Sequence, residues 1–181
     1  MKTCMQIRQR HKNLCAGNRL GKCRWGIEMR LFIAIDLTEK MKKDVTVVLH
    51  SLKKAGVNGN YVPVKNLHLT LAFIGETDRV DEIRQIMDSV PAEPARLSFS
   101  EFGQFGNTFW IGIKGNQKLK KYANDLRLAL KKAGFEIDDK KFTPHITLIR
   151  KANGKRPADL TVPSSDMTAK RISLMRSDFR D

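Results

Sequence analysis

The residues best equipped for chemistry are His68, Thr70, His145 and Thr147, set in Asn66-Leu67-His68-Leu69-Thr70-Leu71-Ala72-Phe73-Ile74-Gly75 and in Pro144-His145-Ile146-Thr147-Leu148-Ile149-Arg150. Both runs place His, an aliphatic residue, Thr and a second aliphatic residue inside what reads as a buried strand. Side chains alternate faces along a strand, so His68 and Thr70 share one face while Leu69 and Leu71 anchor the other, and His145 and Thr147 repeat the arrangement. An imidazole exchanges protons near neutral pH, and a pair can serve as base and acid in one turnover. Hydroxyls beside them would donate to phosphate oxygens as negative charge gathers there. The set predicts phosphoryl chemistry without a metal or other cofactor, because neither motif contains a carboxylate and Glu76 and Asp78 follow the strand end.

The elements that must hold these residues recur in two halves. Leu31 to Ile35 reads as a central strand. A helix follows from Thr38 to Ala55, with Met41, Val45, Val48 and Leu52 on one face, Thr38 as its cap and Gly56 as its stop. A turn through Asn58-Gly59-Asn60 leads by Tyr61-Val62-Pro63-Val64 into the first histidine strand. A second helix capped by Thr77 or Asp78 would bury Val80, Ile83 and Met87, and Pro91 and Pro94 mark a loop.

In the second half, Phe109 to Ile113 takes the place of the opening strand, and a helix carries Leu119, Tyr122, Leu126 and Ala129. Leu52-Lys53-Lys54-Ala55-Gly56 returns as Leu130-Lys131-Lys132-Ala133-Gly134, an offset of 78 residues; the histidines stand 77 apart. A strand, helix, stop and histidine strand matched at one offset indicate duplication. Two such halves packed with pseudo-twofold symmetry would bring the histidines to opposite sides of a shared cleft, which suits in-line displacement at phosphorus. Leu160 to Val162 and Arg171 to Met175 read as short final strands.

The paired His-x-Thr-x motifs, with Met29-Arg30-Leu31-Phe32-Ile33-Ala34-Ile35, Leu69 to Glu76 and Phe142-Thr143-Pro144 before His145, resemble the 2H phosphoesterase superfamily. Within it, residues 29 to about 176 are similar to the LigT-like RNA 2′,3′-cyclic phosphodiesterases, also called 2′-5′ RNA ligases. The resemblance implies an α+β, bilobal fold in which two antiparallel sheets flank a central cleft with helices outside. It implies hydrolysis of a terminal 2′,3′-cyclic phosphate to a 2′-phosphomonoester, with reversible 2′-5′ joining of RNA ends beside it. By resemblance His68 is the proton donor and His145 the proton acceptor, Thr70 and Thr147 hold the phosphate oxygens, and Arg150 holds the phosphate or orders the cleft. The expected partner is RNA bearing a cyclic phosphate end, tRNA fragments included. Two alternatives stand: action on small cyclic nucleotides or 2′-5′ oligonucleotides, and an RNA-binding module without catalysis.

Composition agrees with such partners. Among 181 residues, 34 Lys and Arg face 19 Asp and Glu, a net charge of +15, which concentrates polyanions at the surface. Residues 1 to 28 hold all three cysteines (Cys4, Cys15 and Cys23) and seven basic residues against Glu28. They read as a basic, disordered extension ahead of a domain spanning 29 to 181, with Met29 as the expected true start. The family usually continues past the strand ending at Met175, so a C-terminus at Asp181 reads as truncated. The cysteine spacing fits neither a redox pair nor a common zinc site, and no secretory core is present, so a cytoplasmic monomer is expected. His11 and His50 lack a partner motif. Phe73 and Phe142 read as core residues rather than stacking surfaces, and Lys53, Lys54, Lys131 and Lys132 as solvated helix faces.

Overall fold

The computed structural model describes residues 2–3, 29–115, 117–158 and 160–177. The extension expected over residues 1–28 therefore lies, apart from Lys2–Thr3, outside the described residues. Two sheets form the frame. In chain order the elements are β1 (Lys2–Thr3), β2 (Met29–Asp36), α1 (Glu39–Lys54), β3 (Asn58–Tyr61), a 3₁₀ turn (Val64–Asn66), β4 (His68–Thr77), α2 (Val80–Ser89), β5 (Ala95–Phe105), β6 (Thr108–Gly115), α3 (Gln117–Lys132), β7 (His145–Asn153), β8 (Asp166–Ala169) and β9 (Arg171–Arg176). One sheet runs β1-β9-β2-β4 and the other β3-β7-β6-β5-β8, and every pairing is antiparallel except β1 with β9. The expected α+β architecture of two antiparallel sheets is present.

The helices form where their apolar spacing predicts. In α1 the buried stripe is Met41, Val45, Val48, Leu49 and Leu52, and Thr38 caps it by accepting from the Met41 amide at 3.4 Å. The repeated Leu-Lys-Lys-Ala-Gly segment has a local cause. Gly56 and Gly134 adopt φ of 76° and 82°, left-handed values that suit glycine. The next amides, of Val57 and Phe135, donate back to the Leu52 and Leu130 carbonyls at 3.1 Å each, closing the same terminal turn twice. Those four side chains are buried together in one core shared by the helix stripes and the inner faces of both sheets. Among the described residues no helix is long and apolar enough to cross a membrane.

The structure corrects several expectations. Residues 95–105, unassigned from sequence, form β5: Ala95, Leu97 and Phe99 alternate as a strand should, but an irregularity between Phe99 and Phe102 hides the pattern. Leu160 to Val162 is not a strand; Leu160 is buried as a loop residue and the strand is β8, farther on. Neither Thr77 nor Asp78 caps α2; Arg79 stands at that position, and the Thr77 hydroxyl instead accepts from the Arg79 amide at 3.1 Å. The presumed turn at Asn58-Gly59-Asn60 is strand β3, which leaves its own half of the chain to pair with β7. Gly59 permits this, since a Cβ there would lie 2.7 Å from Ile149 Cγ2. Tyr61 is fixed by its hydroxyl donating to the Val57 carbonyl at 2.7 Å and by the Lys53 ammonium 5.0 Å from its ring centre.

Leu69 has no exposed surface and anchors β4 from behind. Leu69→Ala is expected to cost about 2–5 kcal/mol in urea unfolding, whereas Val47→Ala, at a side chain 60% exposed on α1, should stay within about 0.5 kcal/mol.

Candidate active site

On β4 the side chains of Leu69 and Leu71 are buried while His68 and Thr70 are half-buried on the opposite face, and Ile146, Leu148, His145 and Thr147 repeat this on β7. Each strand then carries an extra residue directly after its threonine. Along β2, Ile33 pairs with Ala72 but Ala34 pairs with Thr70, leaving Leu71 as a bulge. Along β6, Phe109 pairs with Ile149 but Trp110 with Thr147, leaving Leu148 as the matching bulge. A bulge resets the alternation. The residue five places after each histidine is thereby returned to the histidine face, and Phe73 and Arg150 are both exposed there. Phe73 is thus not a core residue: it is 46% exposed, with the Arg30 guanidinium 4.8 Å from its ring centre. Phe142, half-buried, packs against the core as expected.

The two imidazoles are held alike. Nδ1 of His68 lies 2.6 Å from the Asn66 carbonyl and Nδ1 of His145 lies 2.7 Å from the Thr143 carbonyl. A carbonyl only accepts, so each Nδ1 carries hydrogen and each neutral ring keeps its lone pair on Nε2. Protonation at Nε2 leaves both bonds intact, so either ring can gain or lose that proton without turning.

β4 and β7 lie against one another where the sheets meet, and the site is electrostatically joined across them. Burial is the main cause of a His68 pKa below its ordinary 6.5; the Asn66 carbonyl opposes this, the Arg150 charge adds to it, Asp36 opposes it, and a charge on His145 lowers it further. Arg150, on the opposite sheet, is thus placed near His68.

Aromatic rings back each histidine, and the sequence reading missed them. Phe32 lies 4.8 Å from the His68 ring. His145 has the Trp110 ring at 5.8 Å and the Phe105 ring edge-on at 5.3 Å, and Phe105 is 48% exposed. Trp110 lies across Gly103, where a Cβ would come within 2.1 Å of the indole. The repeat itself carried the signal, for Phe32 and Trp110 stand at the same 78-residue offset as the opening strands. His50 is exposed on α1, away from any such cluster. Among the described residues no three His, Cys, Asp or Glu side chains gather in a way that could hold a metal ion.

A sequence profile of the 2′-5′ RNA ligase superfamily matches residues 44–178. The chain belongs to that superfamily. Relatives named RNA 2′,3′-cyclic phosphodiesterase include one from Thermotoga maritima, 36% identical over 131 residues that cover 67% of this chain and 70% of the relative. Another, from Archaeoglobus fulgidus, is 36% identical over 130 residues, covering 67% and 72%. Among solved structures, E. coli LigT complexed with 3′-AMP superposes with a TM-score of 0.70 at 28% identity, over 85% of this chain and 91% of LigT. The resemblance drawn from the two motifs is borne out, as is the LigT-type fold.

Because the folded state disfavours the His68 imidazolium, this group adds stability above pH 6.5 that is lost as pH falls toward its lowered folded value. NMR titration of the ring protons should place the His68 midpoint below 6.5, and Arg150→Ala should move that midpoint upward.

Proposed function

We propose that the chain is an RNA 2′,3′-cyclic phosphodiesterase, working as a cytoplasmic monomer, in which His68 and His145 are the acid and base. The observation that carries this reading is the matched pair of imidazoles, each fixed through Nδ1 and each presenting Nε2, on strands that meet between the sheets. In hydrolysis, His145 takes a proton from water as its oxygen bonds to phosphorus. The bond from phosphorus to the 3′ oxygen breaks, and His68 gives that oxygen a proton, leaving the phosphate on the 2′ oxygen. Thr70 and Thr147 donate to the non-bridging oxygens. Arg150 neutralises the charge that accumulates there. Burial first, and then the Arg150 charge, lower the His68 pKa in the free protein; a bound phosphodiester screens that charge and favours the imidazolium the donor role needs. With a 5′-hydroxyl in place of water, the same groups break the same bond to the 3′ oxygen and join the two RNA ends through a 2′-5′ linkage. The relatives' names and the basic surface favour RNA over a small cyclic nucleotide. The two motifs, each complete, favour catalysis over binding alone.

Incubation of a 2′,3′-cyclic-phosphate RNA should yield a 2′-phosphate end, identified by which hydroxyl stays free, and a chelator should leave the rate unchanged. His68→Ala and His145→Ala should each lower kcat/KM at least about a hundredfold; unchanged rates in both would overturn the assignment. The pH profile of kcat/KM should be bell-shaped with its acid limb centred below 6.5, a value belonging to the coupled pair rather than to one ring.

A further inference from the structure

The duplication is broken on one helix face. Counting back 78 residues from Lys120, Arg127 and Leu128 on α3 gives Lys42, Leu49 and His50 on α1, of which Lys42 and Leu49 are buried. On α3 this face is instead open. It forms one wall of a concavity of about 400 Å³, whose other wall is the segment 138–142 that leads into His145.

This concavity is cationic and braced by ion pairs and a hydrogen bond. Lys120, Arg127 and Lys131 project from the helix wall, Lys140 and Lys141 from the segment, against only Asp138 and Asp139. Both carboxylates are engaged, and two of the contacts join the walls. Lys131 pairs with Asp139, Arg127 donates to the Asp138 carbonyl, and Lys140 sits 3.3 Å from the Asp138 carboxylate. Lys120 and Lys141, both exposed and on opposite walls, have no acidic partner among the described residues. Other α3 lysines do: Lys118 pairs with Glu93 and Lys121 with Asp125. Leu128, 52% exposed, and Phe142 give the same concavity apolar surface on which a base can rest.

We infer that this groove binds the RNA strand upstream of the reacting end, its lysines contacting successive phosphates. The inference rests on the proposed RNA substrate, and it adds a surface outside the pair of histidines. Two observations favour a nucleic acid strand. Phe142 precedes His145 by three residues, so the segment wall of the groove runs, within roughly 10 Å of extended chain, into the strand that carries that imidazole. From Lys120 to Lys131 the helix rises roughly 16 Å, enough to follow more than one phosphate.

The test uses the full chain and the exposed pair Lys120→Ala/Lys141→Ala, with two substrates: a roughly ten-nucleotide RNA ending in a 2′,3′-cyclic phosphate, and a nucleoside 2′,3′-cyclic phosphate. The variant should raise KM for the oligonucleotide about tenfold at unchanged kcat and leave both constants for the nucleoside substrate as they were. Fluorescence anisotropy with the same RNA ending in a 3′-hydroxyl should show a matching loss of affinity. The slope of log affinity against log salt should fall by about 1.4, the counterions released by two single-strand phosphate contacts. Unchanged oligonucleotide KM and affinity would overturn the inference and leave the groove to an acidic protein or to solvent. A lower kcat on the nucleoside substrate would overturn it too, because the lysines would then act through the His145 segment. If the wild type turns over neither substrate, the proposed function fails while anisotropy still decides the groove.

Discussion

Register is the constraint on which this molecule turns. A slip of one residue in β4 or β7 would drive a histidine and a threonine into the core and expose leucines, so the buried Leu69, Leu71, Ile146 and Leu148 fix where the polar groups point. Hydrophobic burial here does not act near the reacting atoms at all. It acts from behind the strand and dictates the orientation of the open face. The paired bulges at Leu71 and Leu148 extend that control, because they bring a fifth residue, Phe73 or Arg150, onto a face that strict alternation would deny it.

The two halves also show how a duplicated frame specialises. The apolar backs, the helix stops and the Nδ1 bonds to a carbonyl two residues upstream are the same in both. The open faces differ. Phe32 answers to Trp110, Ala34 to Gly112, and Phe73 to Arg150. A site assembled this way has matched imidazoles in unmatched surroundings: Arg150 lies on one strand, and the aromatic wall of Phe105 and Trp110 stands beside His145. The charge of Arg150 is felt at His68 across the junction of the sheets.

Much of this was legible in the residues because the informative signals are local. Period-two burial around His68 and His145, the apolar stripes of α1 and α3, and the glycine stops follow from neighbouring side chains and backbone geometry. What escaped depends on contacts remote in sequence. The partner of β3 is chosen by a close approach at Gly59 to a strand some ninety residues later, which no window of α1 and its neighbours contains. Bulges shift alternation without leaving a residue type to mark them, so Phe73 read as core when it is exposed, and β5 lost its pattern near Ser100. The grouping of α3 with the segment before His145 likewise exists only after folding. Lys131 alone reads as a solvated helix charge; its pairing with Asp139 is what shapes a wall.

Strand exchange between the halves bears on how the chain is made. The sheet presenting His145 takes β3 from the first half, and the sheet presenting His68 takes β9 from the far end. Domains generally fold as units while the ribosome feeds out residues in order. Here neither repeat is such a unit, since each lends a strand to the other and long-range pairing must wait for its partner. The nascent polypeptide therefore reaches its first histidine early but cannot seat that strand in a finished sheet until β9 emerges, so any activity waits on residues roughly a hundred positions further along.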